Sequence, residues 1–268
     1  MSTSTKGIAL VTGASAGIGA IYADRLAHRG YDLILVARNQ DRLDVVSDRI
    51  RRTTSRTVKT VAADLNSKAD LKQVEAILAN DPNITLLVNN AGVGAVSPLL
   101  QSDVETMQNM IDLNVTSLTR LTYAAAPAFV ARGGGAIINI ASVVAVAPEV
   151  LNGVYGGSKA YVLAFSQSLH KELADKNVRI QVVLPGATAT NFWDVAGSSL
   201  DHLPGSIVMQ SNDLVDAAIA GFDQGELVTI PSLPDAADWA AFEAARQKMM
   251  PNLSLSTVPA RYRTAVAA

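Results

Sequence analysis

Short apolar runs rich in β-branched residues alternate with longer segments of helical periodicity along the whole chain. Seven such runs occur, at residues 7–11, 31–37, 57–63, 84–90, 135–142, 178–184 and 226–230. Strands that alternate with helices form βαβ units, in which successive strands are parallel and the connecting helices cover the sheet. The alternation therefore predicts an α/β fold with a doubly wound parallel sheet of about seven strands.

The composition of these runs indicates that helices cover both faces of the sheet. The second run, YDLILVA, is apolar almost throughout, as expected for a strand that is buried on both sides. Helical spacing of apolar residues extends across 103–132 and 155–176. We predict a single domain over 1–268, with a Gly-, Ser- and Pro-rich substrate lid at about 186–212 and a helical C-terminal extension at about 235–268.

Composition argues against several classes of function. A net charge of −2 and a pI near 5.9 leave no basic footprint for nucleic acid or an anionic membrane surface. Cysteine is absent and the three histidines are scattered, so no metal site is expected. The stretch MSTSTKG lacks the features of a signal peptide, and no apolar run is long enough for a membrane span. We expect a cytoplasmic protein.

Three glycines follow the first apolar run in the stretch TGASAGIG, residues 12–19. Gly13, Gly17 and Gly19 thus lie between a predicted strand and a predicted helix. Glycines in such a turn allow a pyrophosphate to approach main-chain N–H groups at the start of the helix, where the helix dipole favours anions. A glycine-rich turn without a ligand is the alternative for this motif taken alone.

Further motifs follow in a defined order: NNAG at 89–92, NIAS ending at Ser142, YGGSK from Tyr155 to Lys159, and PGATAT at 185–190. Together with the G-x-x-x-G-x-G spacing of the first turn, they resemble the motifs of the short-chain dehydrogenase/reductase family over about residues 6–232. The resemblance implies a Rossmann-type fold and an NAD(P)-dependent oxidoreductase that interconverts a ketone or aldehyde and an alcohol.

The resemblance also implies which residues contact the cofactor. They come from the glycine turn, the ends of the second and third runs, the NNAG motif, the Tyr–Lys motif and the proline-glycine motif: Gly13, Ser15, Ala16, Gly17, Ile18, Gly19, Arg38, Asp64, Leu65, Asn90, Ala91, Gly92, Tyr155, Lys159, Pro185, Gly186, Thr188 and Thr190. For Asp64, a helix N-cap is an alternative role.

The end of the second run indicates NADP rather than NAD. An acidic residue there would accept from the ribose 2′-hydroxyl of NAD, whereas an arginine favours the 2′-phosphate of NADP. The run ends in Ala37 and Arg38, while Asp32 opens it, far from the carboxyl edge. We therefore expect NADP(H), bound in part by Arg38 and Ser15. A solvated arginine at a helix start is the alternative for Arg38.

Carbonyl reduction needs a proton donor for the developing alkoxide and a hydrogen bond to the carbonyl oxygen. Tyr155 is the candidate acid, and Lys159 lies one helical turn later on the same face. A positive charge at about 5 Å is worth roughly 3 kcal/mol at an effective dielectric of about 20, which predicts a phenol pKa lowered by about two. The resemblance assigns the hydrogen bond to the substrate to Ser142, and a water between Lys159 and solvent to Asn114.

The substrate wall is expected from Val144, Leu151, Phe192 and Trp193. The predicted lid carries further apolar side chains, and no Arg or Lys occurs between 180 and 245. An apolar wall without cations favours an uncharged hydrophobic ketone or alcohol over a phosphorylated or CoA-linked substrate. Core packing or a subunit contact is the alternative role for these side chains.

The resemblance also bears on assembly and on activity. The resemblance implies a dimer interface formed by the helical segments 103–132 and 155–176, whose apolar positions could supply it. A homodimer or homotetramer is therefore expected. The same fold also serves as a binding module, so a non-catalytic NADP(H)-sensing protein is the alternative to an enzyme. Intact Ser142, Tyr155 and Lys159 favour the enzyme.

Overall fold

A computed structural model describes residues 6–263 of the chain. The chain divides into two compact units, one up to Ser232 and one from Leu233 onward. The first unit contains the complete sheet and every predicted site residue. The single domain over 1–268 stays a prediction, and its outermost residues lie outside the described range.

The first unit is built on a parallel sheet of seven strands, and a separate two-stranded parallel ladder accompanies it. The strands in chain order are β1 (Ile8–Thr12), β2 (Asp32–Ala37), β3 (Val58–Ala62), β4 (Ile84–Asn89), β5 (Gly135–Ile140), β6 (Val178–Val183), β7 (Thr188–Ala189), β8 (Met209–Gln210) and β9 (Val228–Thr229). The order in the large sheet is β3-β2-β1-β4-β5-β6-β9, and β7 pairs with β8. The predicted doubly wound α/β fold is confirmed.

Helices of the first unit lie on both faces of the sheet. In chain order the helices of both units are α1 (Gly17–His28), α2 (Gln40–Thr53), α3 (Lys68–Asn80), α4 (Val104–Ile111), α5 (Leu118–Ala131), α6 (Gly153–Glu172), α7 (Phe192–Ala196), α8 (Ser211–Gln224) and α9 (Ala236–Met249). One apolar cluster joins the sheet to α1, α2 and α8, and a second joins it to α3, α5 and α6. In β2, Leu33 and Leu35 enter the first cluster while Ile34 and Val36 enter the second. This explains why the strands are apolar throughout.

A chain of buried amides and hydroxyls crosses the second cluster and fixes α6 against the sheet. The Asn89 side chain, on β4, donates to Asn139 Oδ1 on β5 at 3.0 Å and to Thr122 Oγ1 on α5 at 3.1 Å. The Asn139 side chain in turn donates to Ser166 Oγ on α6 at 2.9 Å. Because buried polar groups are costly unless they are hydrogen-bonded, these contacts specify how the helix packs on the strands.

The structure differs from the sequence predictions in three places. The helix expected over 103–132 is interrupted by a π-helical turn, Asp112–Ser117. The strand expected at 226–230 forms only the short β9, Val228–Thr229. The segment 186–212 is not one irregular excursion, since it contains β7, α7 and β8. Periodicity alone does not reveal elements this short.

The second unit is described from 233 to 263 and contains α9, in the region where the sequence predicts a helical extension. The Asp235 side chain caps α9 by accepting from the Ala237 N–H at 2.8 Å. Trp239 and Phe242 stack with ring centres 5.2 Å apart. None of the helices within residues 6–263 combines the length and the apolar character needed to cross a bilayer.

Candidate active site

The predicted site residues lie at the edge of the sheet where the strands have their carboxyl ends. The sheet order reverses between β1 and β4, and ligands of open parallel sheets bind at such a reversal. The glycine turn follows β1, NNAG follows β4, and Ser142 follows β5. The N–H groups of Asn90 and Ala91 both donate to Thr12 Oγ1 at 3.0 Å, which joins the ends of β1 and β4.

Internal packing requires the glycines of the turn. Gly13 and Gly17 have φ values of +65° and +52°, in the left-handed region that favours glycine. A Cβ on Gly19 would lie 2.4 Å from the Gly13 carbonyl oxygen and 2.4 Å from the side-chain nitrogen of Asn90. The same Asn90 nitrogen donates to the carbonyl oxygens of Thr12 and Gly13 at 2.9 and 3.2 Å. The sequence motif predicts that these glycines make room for a phosphate. It does not reveal that packing against Asn90 also requires two of them.

The start of α1 fits an anion. Its N-cap residue, Ala16, makes no side-chain hydrogen bond, and its first turn has no acidic residue. In contrast, side chains cap α2, α3 and α6. The first N–H groups of a helix have no partner inside it, and its dipole adds partial positive charge there. Ser15 and Ile18 lie half-buried beside this helix end. These residues therefore fit the pyrophosphate of a dinucleotide.

The helix α6 places Tyr155 and Lys159 side by side. Both are buried, at 5% and 6% exposure, and Lys159 Nζ lies 5.9 Å from the centre of the phenol ring. Nζ donates to the carbonyl oxygen of Ile140, the last residue of β5, at 3.0 Å. None of the ion pairs among residues 6–263 includes Lys159. The ammonium is therefore held by the sheet and faces the phenol.

Burial, more than the neighbouring charge, determines the protonation of this pair. Burial raises the pKa of Tyr155 to about 12, and the interaction with the Ser142 hydroxyl lowers that pKa in part. Burial lowers the pKa of Lys159 to about 8. The prediction of a phenol pKa lowered by about two is therefore wrong for the described protein, because desolvation disfavours the charged form of both groups.

Ser142 connects the end of β5 to the proline-glycine motif. It is buried, and its Oγ donates to the Pro185 carbonyl oxygen at 3.3 Å and accepts from the Val144 N–H at 3.4 Å. The Val143 N–H donates to the same Pro185 oxygen at 2.9 Å. These bonds hold the Ser142 hydroxyl in the neighbourhood of Tyr155.

Asn114 lies in the π-helical turn that interrupts the helix between α4 and α5. Its Oδ1 accepts from the Val93 N–H at 3.0 Å, and its Nδ2 donates to the Val93 carbonyl oxygen at 2.8 Å and to Ser158 Oγ at 3.1 Å. A Cβ on Gly92 would lie 3.0 Å from Asn114 Oδ1 and 3.4 Å from Lys159 Nζ. Because Gly92 has no Cβ, a space remains between the asparagine and the lysine. The π-helical turn that carries Asn114 is of a kind often found at functional sites.

Arg38 lies exposed after the carboxyl end of β2 and makes no hydrogen bond or ion pair with residues 6–263. Asp32 opens β2 at the opposite edge of the sheet, where its carboxylate accepts from the Thr57 N–H at 2.8 Å. The sequence argument that distinguishes these two residues therefore agrees with the structure. A guanidinium with no internal partner is free to bind a phosphate.

The next predicted pair, Asp64 and Leu65, follows β3. Asp64 is exposed, and its carboxylate accepts from the Asn66 N–H at 3.0 Å. The alternative N-cap role for Asp64 is wrong, because Ser67 caps α3. Leu65 is buried, and its carbonyl oxygen accepts from Ser117 Oγ, in the π-helical turn, at 2.7 Å.

The proline-glycine motif lies beside the glycine turn. A Cβ on Gly17 would lie 3.3 Å from Thr190 Cγ2, so Thr190 packs against the start of α1. Thr188 Oγ1 donates to the Gly186 carbonyl oxygen at 3.0 Å, and Thr188 pairs with Met209 in the small ladder. The structure thus brings together the glycine turn and the proline-glycine motif, the first and the last segments predicted to contact the cofactor.

An apolar cluster surrounds the phenol. Tyr155 belongs to a buried group with Val144, and Leu151 and Phe192 pack against that group. The Phe192 ring centre lies 5.7 Å from that of Tyr155. Among residues 6–263, no three His, Cys, Asp or Glu side chains are grouped as metal ligands would be. Three of the four predicted substrate residues therefore lie around the candidate acid.

Trp193 fits the alternative of core packing better than a place in the substrate wall. It is buried, and its Nε1 donates to the Thr188 carbonyl oxygen at 3.0 Å. Its ring meets Phe192 edge-on, with centres 5.6 Å apart. It therefore supports Phe192 rather than forming the inner wall. The sequence also misses Gly94, where a Cβ would lie only 2.2 Å from the Phe192 ring.

Asn152, which the sequence does not single out, anchors the start of α6. Its Oδ1 accepts from the N–H groups of Val154 and Tyr155 at 2.9 and 3.3 Å. Its Nδ2 donates to the Ser97 carbonyl oxygen at 2.6 Å and to Ser102 Oγ at 3.2 Å. One buried amide thus joins the start of α6 to the loop 97–102. An asparagine just before a helical segment is the sequence signal for such a cap.

The family profile described as short chain dehydrogenase matches residues 7–200, which is more than half of the chain. The chain belongs to the short-chain dehydrogenase family. The resemblance predicted from the glycine turn and the Tyr–Lys motif is therefore confirmed.

Relatives of this short-chain dehydrogenase include the very-long-chain 3-oxoacyl-CoA reductase of Bos taurus. That protein is 40% identical over 197 residues, which are 72% of this chain and 63% of the relative. The chain thus spans less than two thirds of the length of this curated relative.

Two solved structures resemble the chain over almost its full length. A short-chain dehydrogenase from Sphingobium yanoikuyae in complex with NADPH has a TM-score of 0.92 and 47% identity, covering 96% of this chain and 100% of that one. A bulky-bulky ketone specific alcohol dehydrogenase from Comamonas testosteroni has a TM-score of 0.89 and 42% identity, covering 97% and 99%.

The depressed pKa of Lys159 predicts a dependence of stability on pH. As pH rises from about 8 toward 10.5, folded protein loses the Lys159 proton before unfolded protein does, so the free energy of unfolding increases. Relative to Lys159→Met, the unliganded wild type should gain up to about 2 kcal/mol between about pH 7.5 and 9.5. Urea denaturation measures this gain, and parallel pH profiles for the two proteins would contradict it.

The two sets of hydrogen bonds made by Asn152 are separable by substitution. Asn152→Ser keeps an acceptor that caps α6, but the shorter side chain cannot reach Ser97, so the loop 97–102 is released while Tyr155 stays in place. The Michaelis constant for the substrate should therefore rise, and saturated turnover should change little. Asn152→Ala loses both the cap and the bond to Ser97. Its free energy of unfolding should fall by about 1–3 kcal/mol, and its saturated turnover should fall as well. Urea denaturation and steady-state oxidoreductase kinetics test this. Identical behaviour of the two variants would exclude a role for the cap.

Proposed function

We propose that this protein is an NADP(H)-dependent oxidoreductase that interconverts a hydrophobic, uncharged ketone or aldehyde and the corresponding alcohol. The observation that carries the proposal is the grouping of Ser142, Tyr155 and Lys159 at the sheet edge that also holds the glycine turn. The Sphingobium relative bound to NADPH supports the cofactor.

In the proposed reaction, NADPH when bound supplies the hydride. The Ser142 hydroxyl turns away from the Pro185 carbonyl oxygen, donates a hydrogen bond to the substrate carbonyl oxygen and so polarises it. Tyr155 Oη then donates its proton to the developing alkoxide. With a pKa raised to about 12, the phenol is fully protonated at neutral pH, which suits the reductive direction.

Lys159 and Asn114 support the acid. At neutral pH Lys159, with a pKa lowered to about 8, is still mostly protonated, so it stabilises negative charge that develops on the phenol. We assign to it the ribose hydroxyls of the cofactor as well. Asn114, beside the space that Gly92 leaves next to Lys159 Nζ, is assigned the water that returns a proton to this pair.

The cofactor end of the site is assigned to the predicted contacts. The uncapped start of α1 receives the pyrophosphate, and Arg38 receives the 2′-phosphate of the adenosine ribose. Asp64 and Leu65 lie at the next strand end, where the adenine is expected.

The apolar surroundings of the phenol favour a ketone with two large substituents. Val144, Leu151 and Phe192 offer one apolar wall. Leu99 and Leu100, which are 81% and 94% exposed, lie in the loop that Asn152 holds, and we assign contacts with the far end of the substrate to them. The substrate class of the Comamonas relative agrees with this arrangement. A 3-oxoacyl-CoA, the substrate named for the bovine relative, is the competing candidate. Residues 180–245, which include the predicted lid, contain no Arg or Lys that could bind the phosphates of CoA.

Assembly as a homodimer or homotetramer is part of the proposal, as is a cytoplasmic location. Tyr123 on α5 is 68% exposed and stacks on Phe165 of α6 with ring centres 6.4 Å apart. Tyr161 also stacks on Phe165, with ring centres 5.5 Å apart. This aromatic surface suits the interface between copies that the family resemblance implies.

A Tyr155→Phe substitution separates the enzyme from a non-catalytic NADP(H) sensor. The ring packing stays and the proton donor is lost, so turnover should fall by about a hundredfold to ten-thousandfold while NADPH affinity changes little. Tyr161→Phe, on the same helix, is the matched control and should keep its activity. Kinetics with a panel of bulky ketones and fluorescence titration of NADPH provide the measurements. Unchanged turnover in Tyr155→Phe would remove this residue from its role, and a wild type inactive on every ketone would favour the sensor.

An Arg38→Asp substitution tests the cofactor assignment. The new carboxylate repels the 2′-phosphate and can accept from a 2′-hydroxyl, so kcat/KM for NADPH should fall by at least about tenfold and that for NADH should rise. Arg52→Asp, an exposed position at the other end of α2, matches the change in net charge. If both variants lose the same fraction of NADPH activity, the effect is one of overall charge and not of Arg38.

A further inference from the structure

The tip of the Phe192 ring rests on the backbone of Gly94, a buried glycine in the loop that follows β4. A Cβ built on Gly94 would lie 2.2 Å from Phe192 Cζ, 2.8 Å from Cε2 and 3.2 Å from Cε1, which are its nearest atoms outside the adjoining residues. Non-bonded carbon atoms need about 3.5–4.0 Å. Gly94 is not among the glycines of residues 6–263 with a positive φ, so its backbone would tolerate a side chain. The ring is therefore what requires a glycine here.

The short helix α7, which carries Phe192, is fixed to the loop that contains Gly94. At its start the Phe192 N–H donates to Thr190 Oγ1 at 3.2 Å. At its end the Ala196 carbonyl oxygen accepts from the Val96 N–H at 3.2 Å. The bond between Val96 and Ala196 sets the distance between the backbone of α7 and the loop. An extra atom on Gly94 is therefore accommodated by rotation of the Phe192 ring and not by movement of the helix.

Two aromatic side chains limit where this ring can move. The indole of Trp193 meets it edge-on, with ring centres 5.6 Å apart, and a hydrogen bond to the Thr188 carbonyl oxygen holds that indole in place. The Tyr155 ring centre lies 5.7 Å away, on the side where the substrate is proposed to bind. Rotation toward solvent would expose apolar area of a half-buried ring, whereas the substrate space offers contacts with the apolar cluster around the phenol. A displaced Phe192 ring therefore moves toward Tyr155.

We propose that Gly94 determines the size of the ketone that the site accepts, because it allows the Phe192 ring to lie away from the Tyr155 hydroxyl. The inference rests on the function proposed above and adds a specificity-determining position to it. With a glycine at this position, both substituents of the carbonyl carbon can be large. With a side chain there, the ring narrows one side of the space, and only a ketone with one small substituent fits. Gly94 acts through Phe192 and is therefore a positioning residue.

Reduction of two related ketones tests this inference. Acetophenone and butyrophenone share a phenyl group and differ in a methyl against a propyl substituent. In Gly94→Ala, kcat/KM for butyrophenone should fall by about tenfold to a hundredfold, mainly through a higher KM, while that for acetophenone should change by less than about threefold. Gly153→Ala adds the same methyl group at an exposed position with open space around the new Cβ. It is the control and should leave both values unchanged.

The Phe192→Leu background shows whether the ring carries the effect. Leucine lacks the three ring atoms that would meet a Cβ on Gly94, so in this background Gly94→Ala should change the ratio of the two kcat/KM values by less than about twofold. If Gly94→Ala alone does not fold, the double variant should still fold, which urea denaturation and fluorescence titration of NADPH can check. A double variant that does not fold would overturn the inference, because something other than the ring would then require the glycine.

Other results would contradict the inference without contradicting the proposed reaction. Equal losses for the two ketones in Gly94→Ala, a selective loss that persists with Phe192→Leu, or a gain for butyrophenone would each overturn it, since the ring would not then narrow the substrate space. A wild type that reduces acetophenone but not butyrophenone would also overturn it. A wild type that reduces no ketone of the wider panel would instead contradict the proposed function, and the inference would fail with it.

Discussion

The hydrogen bonds that fix α6 against β5 determine the candidate site. Tyr155 and Lys159 share one helix, so any shift of that helix moves the acid and the cation together. Three contacts oppose such a shift: the Asn152 bond to the Ser97 carbonyl at its start, the Lys159 bond to the Ile140 carbonyl, and the Asn139–Ser166 bond further along. Each joins the helix to backbone or to a buried amide, where the loss of one partner leaves the other unsatisfied. The site is therefore as rigid as the core beneath it.

Burying the pair has an electrostatic consequence that its spacing does not reveal. A simple charge–charge estimate at surface-like dielectric predicts a more acidic phenol, but the helix carries both groups out of water and favours the neutral form of each. The phenol pKa rises to about 12 and the lysine pKa falls to about 8. A neutral phenol beside a largely protonated amine is a proton donor at neutral pH.

The sequence predicts the fold and the grouping of the site well, because both depend on features that repeat along the chain. Apolar runs place the seven strands of the large sheet to within a residue or two, and motifs that follow strands meet at one edge of a parallel sheet. What the sequence misses depends on partners distant in the chain. Gly19 is explained by Asn90, Gly94 by Phe192, and the space at Gly92 by Asn114 and Lys159. Trp193 is a large aromatic residue of the kind expected in a substrate wall, but its indole N–H donates to the Thr188 carbonyl oxygen. The pKa values need burial, which no motif encodes.

The ionisation of Tyr155 in the cofactor-free protein is the most direct test of this account. Carbon-13 NMR of tyrosine labelled at Cζ, compared between wild type and the variant without the Tyr155 hydroxyl, isolates this one phenol from the other five tyrosines. Burial predicts that Tyr155 stays protonated beyond pH 10, with less than about a tenth ionised at about pH 11. A midpoint below the ordinary tyrosine value would mean that the Lys159 charge outweighs desolvation, and the account would be wrong.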